Sequence, residues 1–531
     1  MALLRTSAIL ALEALALSRA GPGELMQRAA HALALQAARM LRGLPIGHSS
    51  VGKAPCIQVW LGPGNNGGDA LLAGLMLSEL GHRVFAIDLF PDAQRPADAA
   101  AVYAKARAAG PESLTWWSPD QALRALNVGH EAWLILDGLF GIGLKRSLSA
   151  ELRAWMDGIN SRDPARVKVL AVDVPSGLNA ETGMPVSESV LRADVTLTFL
   201  ADKPGLHTGQ AAQWCGRVLV DTLGCQPAGQ SLDHSADHSA DHSAREAGQL
   251  ITAQQAKALV PGRSADAHKG RFGDLLVVQG IPATQGAALL ALLGAQAVGV
   301  GRLYLGKDHT APASELHPEF MSRRIKPGDP GRSDAVVIGC GLGQDDRARA
   351  VLADIISSQI PCVLDADALT LLAGDASLRG LIRPESSRVM TPHPLEAARL
   401  LGCTVSQVQA DRICSALRLA HLYQSVVVLK GAGSIVAGPL GDWSINASGG
   451  PLLAVAGTGD VLAGMIGGLL AQGLPPLAAA RLGTWLHGAA ADALCTEPAW
   501  SAGIGLAASR LPQAVRERLN ILVNSDDPGS D

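Results

Sequence analysis

Aromatic residues and charge are both scarce in this chain: 3 Tyr, 6 Phe and 9 Trp stand among 531 residues, and 17% of the residues are charged. So few rings cannot build a platform on which nucleic-acid bases stack. The charges sum to −4, which leaves no basic field to hold a polyanion. Cysteine is present but unpatterned. The eight residues at 56, 215, 225, 340, 362, 403, 414 and 495 show no C-x-x-C or C-x-x-H spacing. That argues against a zinc site and a disulfide framework and predicts buried thiols in a reducing cytoplasm. An unbroken apolar span is missing too. The opening MALLRTSAILALEALALSRA has the outline of a leader, but Glu13 interrupts it. At helical spacing Leu10, Ala14 and Leu17 share one face, predicting an amphipathic first helix. Residues 452–474 are nearly long enough to cross a bilayer but carry Asp460 and six glycines and run into Pro475 and Pro476, which predicts a buried helix and no membrane partner.

What is abundant is aliphatic surface, 48% hydrophobic with 59 Gly. That much can bury itself and offset chain entropy. Periodicity stops at 226–248, where DHSA repeats three times between 233 and 244. A polar repeat cannot form a core, so the segment reads as a linker, with a solvated tether favoured over a metal site at His234, His238 and His242. It separates a first domain, 1–225, from a second, 249–522, followed by a flexible tail at 523–531. In both, short apolar runs alternate with helical stretches. The first has them at 57–62, 84–90, 133–141, 167–177, 194–201 and 217–221; the second at 274–280, 335–341, 361–368, 388–393 and 425–431. This pattern predicts an α/β fold with parallel sheets covered on both faces and ligands at the carboxyl ends of strands.

The unusual clusters fall at those ends. After the first strand comes 62 GPGNNGGDA 70, with a helix expected near Leu71; its glycines allow close backbone approach and the helix start offers N–H groups to an anion. Asn65 and Asn66 place neutral oxygens there, suited to a monovalent cation or a hydroxylated substrate. Asp137 closes WLILD before GLFGIGLKRS, and Asp173 closes VKVLAVD before VPSGLNAETG. Three glycine-flanked carboxylates at successive strand ends point to one shared site, since each would be costly to bury unpaired.

GPGNNGGD, DGLFGIGL, DVPSGLNAETG and KPGLHTG (203–209) together resemble the epimerase domain of the bifunctional NAD(P)H-hydrate repair family, over residues 5–225. The resemblance implies a Rossmann-like three-layer α/β/α domain. Asn65, Asn66, Gly67, Gly68 and Asp69, with Gly141, Ile142, Gly143, Leu144, Lys145, Arg146 and Ser147, would contact the hydrated nucleotide. Asp173 would be the catalytic group beside the reacting ring, and Asn66, Asp137 and Ser176 would hold K+. Ala70 departs from the family's usual Gly without removing a ligand atom.

Near the other end, 457 GTGD 460 opens an apolar helix. Backbone N–H groups at a helix start can hold charge developing on a transferring phosphoryl, and Asp460 is placed to accept a hydroxyl proton. Lys430 closes a strand before Gly-Ala-Gly-Ser, and His393 sits in a Pro-bracketed turn. With HKGRFGDLLVVQG (268–280), GCGLG (339–343) and DADAL (365–369), these resemble the dehydratase half of the same family, a ribokinase-like α/β/α fold, over 250–520. The resemblance implies that ADP, with Mg2+, phosphorylates the C6 hydroxyl of the S hydrate and that phosphate then leaves. Lys430, Gly431, Ala432, Gly433, Ser434 and Gly459 match nucleotide-binding positions. Ala287, Gly343, His393 and Asp460 match substrate positions. Two departures stand out: Leu395 replaces the usual Gly after TPHP, and 279–286 lacks the usual glycine-rich turn.

The function expected is therefore repair of NADHX and NADPHX, the hydrated forms of NADH and NADPH, by a cytoplasmic homo-oligomer without a nucleic-acid partner. A rival reading makes the second domain an ordinary kinase of a hydroxymethylpyrimidine-like molecule with a regulatory first domain. Another makes the first domain a binding scaffold, as in RNA-decapping proteins of this fold. The fusion favours repair, because non-enzymatic hydration gives both epimers while the second site accepts one.

Overall fold

The computed structural model describes residues 2–44, 55–110, 113–127, 131–144, 146–225, 247–280, 284–307, 317–326, 332–384 and 387–525. The chain divides into two compact units, 2–239 and 240–531. The three DHSA repeats lie outside the described residues. Strand Ala247–Leu250 begins inside the stretch assigned to the linker, and helix Leu511–Asn524 runs two residues into the expected tail.

The first domain carries a seven-stranded sheet. In spatial order the strands are Thr115–Trp116, Val84–Asp88, Cys56–Leu61, Trp133–Gly138, Val167–Val172, Val195–Phe199 and Arg217–Asp221, and every pairing is parallel. All six residues of Cys56–Leu61 and of Trp133–Gly138 are buried, which is why these runs are apolar rather than alternating. The chain builds outward from Cys56–Leu61 on one side and returns to Trp133–Gly138 on the other. The loops after those two strands diverge there and open a crevice.

Two expectations change in this domain. The helix after the first strand spans Asn65–Glu79 and so begins six residues before Leu71. Gly67 and Gly68 lie inside it because a Cβ on Gly67 would stand 2.4 Å from the Gly62 carbonyl oxygen, and one on Gly68 would stand 2.7 Å from Met26 Cε. They are packing glycines. The first helix, Thr6–Arg19, forms as expected but buries Ile9 and Ala16 rather than the Leu10–Ala14–Leu17 face; Leu10 and Leu17 are exposed. The face turned to the domain is the one that carries Glu13.

The second domain has ten strands in the spatial order Ala247–Leu250, Trp443–Asn446, Ser434–Ala437, Val426–Leu429, Arg388–Met390, Cys362–Leu364, Ala335–Ile338, Asp274–Val278, Arg302–Lys307 and Met321–Arg324. The sheet was expected to be parallel throughout. Two joints are antiparallel: Val426–Leu429 with Ser434–Ala437, and that strand with Trp443–Asn446. The four residues 430–433 are too few for a parallel crossover, and Gly431 (φ 140°) and Gly433 (φ 60°) supply the reversal.

The helix Thr458–Ala471 is buried along nearly its whole length and packs on Gln285–Ala297. A Cβ on Gly464 would meet the Ala291 carbonyl oxygen at 1.8 Å, and one on Gly294 the Val461 oxygen at 2.2 Å. Backbone contact between two helices thus accounts for glycines that resemble a membrane segment's. Among the described residues no helix is long and apolar enough to cross a membrane. In both domains helices alternate with the strands of a mainly parallel sheet, an α/β fold.

Candidate functional site

In the first domain a cavity of about 610 Å³ opens at the crevice. Its walls include Asn65, Asn66, Asp69, Gly141, Ile142, Gly143, Leu144, Arg146 and Asp173. Gly67 and Gly68 pack behind the wall, Ser147 is exposed away from the lining, and Lys145 lies outside the described residues.

Asp173 sits at the end of Val167–Val172 with φ 67°, a left-handed conformation that Asp tolerates better than branched residues. Its N–H donates to the Leu197 carbonyl at 2.8 Å. Its Oδ1 accepts from Thr198 Oγ1 (3.0 Å), the Phe199 N–H (3.1 Å) and Lys203 Nζ (2.8 Å). Lys203 is 1% exposed and also donates to Thr198 Oγ1 at 2.6 Å. A Cβ on Gly141 would stand 3.3 Å from both Asp173 Oδ2 and Asn66 Oδ1, so glycine keeps that side of the carboxylate open. Asp69 shares the cavity. Desolvation, then the charges of Asp173, Glu13 and Asp98, hold its carboxyl well above the usual range.

Asp137 and Ser176 are fully buried. Asp137 accepts from Ser176 Oγ (2.6 Å), the Ser176 N–H (2.9 Å) and the Leu139 N–H (3.3 Å). Burial pushes its pKa up to about 6 against those hydrogen bonds. The buried Nδ2 of Asn66 has no hydrogen-bond partner among the described residues.

In the second domain Asp460 occupies the first turn of Thr458–Ala471, after Gly457 at φ 94°. Burial and then the charge of Asp365 raise its pKa to about 6, opposed by a hydrogen bond with Cys340 and by Lys430. Lys430 Nζ donates to Asp365 Oδ1 at 2.8 Å, and a Cβ on Gly459 would stand 3.4 Å from that Nζ. Cys340, Asp365 and Asp460 bring one ligand atom each within 4.8 Å of one another. Buried His487, its pKa lowered to about 4 by desolvation, bonds through Nε2 to the Thr458 carbonyl at 2.9 Å, and Thr458 Oγ1 donates to the Leu453 oxygen at 2.9 Å. These contacts fix the helix start.

The nucleotide-matching segment 430–434 is the hairpin turn. Ser434 Oγ donates to the Gly431 carbonyl at 3.0 Å, and buried Arg412 donates to the carbonyls of Leu429 (3.2 Å) and Lys430 (3.3 Å). Gly343, at φ 81°, donates its N–H to Asp367 Oδ2 at 2.9 Å. Ala287 lies in the first turn of Gln285–Ala297, partly buried. His393 caps the helix Pro394–Leu401. Its Nδ1 accepts from the N–H groups of Leu395 (3.0 Å) and Glu396 (3.3 Å), and burial lowers its pKa. Leu395, where the family usually has Gly, is exposed.

Sequence reasoning passed over Lys203, Asp365, Cys340, His487, Arg412 and, as a cavity residue, Glu13. Lys203 and Asp365 begin the clusters KPGLHTG and DADAL, so their signal was present. Cys340 lies inside GCGLG, whose glycines drew the attention; the others are isolated in sequence and acquire neighbours only through the fold.

Two family models match the chain: a YjeF-related protein N-terminus over residues 22–205 and NAD(P)H-hydrate dehydratase over 275–513. A bifunctional NAD(P)H-hydrate repair enzyme of Coxiella burnetii is 35% identical over 448 residues, covering 83% of this chain and 86% of that protein. An ADP-dependent (S)-NAD(P)H-hydrate dehydratase of Neisseria meningitidis is 43% identical over 287 residues, 52% of this chain and 95% of its own. A solved structure, the ADP/ATP-dependent NAD(P)H-hydrate dehydratase of Bacillus subtilis co-crystallized with ATP/Mg2+, is 31% identical with a TM-score of 0.45, covering 51% of this chain and 97% of that one. Similarity that runs through both domains in one relative leads to one conclusion: the chain belongs to the family of bifunctional NAD(P)H-hydrate repair enzymes.

Proposed function

We propose that the first domain interconverts the R and S forms of hydrated NADH and NADPH, and that the second uses ADP to dehydrate the S form, giving NAD(P)H, AMP and phosphate. The observation that carries this reading is the second site's arrangement, an Asp460 carboxyl at a helix start beside a lysine already committed to Asp365. Hydroxide is a poor leaving group near neutrality and phosphate a good one, so phosphoryl transfer makes the dehydration accessible.

Asp460 accepts the proton of the C6 hydroxyl as its oxygen attacks the β-phosphorus of ADP. The N–H groups at the start of Thr458–Ala471 face the charge on the moving phosphoryl. AMP departs. Phosphate then leaves C6, and loss of a proton from C5 restores the ring. The turn 430–434 with Gly459 binds the nucleotide, and Gly343, His393 and Ala287 border the hydrate. His393 reaches this role as a helix cap, so its ring is held in place before any substrate arrives. Mg2+ belongs with the ADP phosphates: the Cys340–Asp365–Asp460 cluster contains a thiol and the partner of Lys430, a poor match for a hard cation.

In the first domain, Asp173 moves the proton that accompanies loss or return of water at C6, and Asn65, Asn66, Asp69, Gly141, Ile142, Gly143, Leu144 and Arg146 border the nucleotide. Asn66, Asp137 and Ser176 fit K+. Each offers a side-chain oxygen, Asp137 is buried without a cationic partner among the described residues, and a flip of the Asn66 amide would turn its oxygen to the place now taken by an unpartnered nitrogen. Bound there, K+ would offset the buried charge and brace the loops on which Asp173 stands. We place this enzyme in a reducing cytoplasm, which its scattered, unpatterned cysteines favour.

The test supplies mixed hydrates with ADP or ATP, with and without K+. Return of reduced-nicotinamide absorbance with stoichiometric AMP and free phosphate is expected. A phosphorylated hydrate that persists would instead make the second domain a kinase.

A further inference from the structure

Epimerisation at one carbon is a two-sided reaction. The C6–O bond breaks as its oxygen takes a proton from an acid on that face and leaves as water. The ring-nitrogen lone pair forms a C6=N iminium. Water then adds on the other face and gives its proton to a base there. A single fixed carboxyl serves one face, and a second acid–base group on the other face would speed the cycle.

The helix Thr6–Arg19 lays Ile9, Glu13 and Leu17, spaced four residues apart, along the same cavity that Asp173 enters from its strand end. Glu13 is half-buried on this wall and accepts no hydrogen bond from any described residue. A half-buried carboxyl with no such partner is free to exchange a proton with a molecule in the cavity. Asp173, by contrast, is held by Thr198, Phe199 and Lys203. The other charged groups facing the cavity are Asp69, Asp98 and Arg146. Desolvation raises the Glu13 pKa, Asp173 adds to the rise, and Lys203 opposes it, so Glu13 keeps a proton to higher pH than an ordinary glutamic acid.

We propose that Glu13 is the second acid–base residue of the epimerase site, acting on the hydrated ring from the helical wall of the cavity while Asp173 acts from the strand-end wall. When the R form reacts, one carboxyl donates and the other accepts; for the S form the roles exchange. The inference rests on the first domain's being an epimerase.

The test is Glu13→Gln in the full chain, with R-to-S and S-to-R rates measured without ADP. Both are expected to fall by about 100-fold, with the KM for hydrate little changed, one limb of the pH–rate profile lost and part of the rate regained in Glu13→Asp. ADP-dependent dehydration of pure S hydrate by the same variant reports that the protein is folded. Wild-type epimerisation by Glu13→Gln, or a loss confined to KM, would overturn the proposal. Failure of the unmodified chain to epimerise would remove the underlying reading as well. Loss of epimerisation in Asp173→Asn with full activity in Glu13→Gln would remove only the role of Glu13.

Discussion

The two sites share a problem and differ in which carboxylate each gives its lysine. Both gather carboxylates at the carboxyl ends of parallel strands, where leaving several charges unpaired would be costly. In the first domain Lys203 is bound to Asp173, the residue proposed for the chemistry. In the second Lys430 is bound to Asp365, a neighbour of the proposed base, and Asp460 is left with a pKa of about 6. A lysine on the reacting carboxylate fixes where that carboxylate acts, so the far side of the ring is left to another group. A lysine on the neighbour neutralises the cluster while the reacting carboxylate titrates. The first arrangement calls for a partner such as Glu13, and the second does not.

The contrast is sharpest in three variants. Asp460→Asn should cost the largest factor, about 10³-fold in dehydration, with ADP binding retained in a calorimetric titration. In the unmodified chain the same rate should be flat above pH 6 and fall about tenfold per unit below it, because protonated Asp460 cannot accept the hydroxyl proton. Lys203→Met should come next. Removing one partner of a buried pair costs about 3–5 kcal/mol, so the first domain should melt earlier in calorimetry and lose epimerisation while the second still dehydrates S hydrate. The smallest effect belongs to His393→Ala. Losing a helix cap costs about 1 kcal/mol, visible as a modest fall in the urea midpoint of the second domain; a larger loss of turnover than of stability would separate substrate contact from capping.

Much of this architecture was legible in the chain. The apolar runs from 57 to 221 and from 274 to 431 became strands because central strands of a parallel sheet are buried on both faces and carry no polar alternation. Asp137, Asp173 and Asp460 could be picked out because a carboxylate after an apolar strand, or at the start of an apolar helix, is conspicuous. The glycines were harder. GNNGGD reads as a turn, yet Gly67 and Gly68 are helical, and what they permit is contact with Gly62 and Met26, which no local pattern records. The antiparallel joints after residue 429 were missed because an apolar run does not reveal the direction of its neighbour. Glu13 was legible only as a break in a hydrophobic segment. Its meaning appears when Ile9 and Leu17, one turn to either side, face the cavity of Asp173.

The most direct measurement follows reduced nicotinamide as Asp173→Asn, in the full chain with ADP and K+, works on a mixture of R and S hydrates under conditions where the two interconvert only slowly without enzyme. Recovery that stops at the S fraction, where the unmodified chain recovers both, is the result expected of two separate sites in series. Complete recovery at the unmodified rate would contradict it.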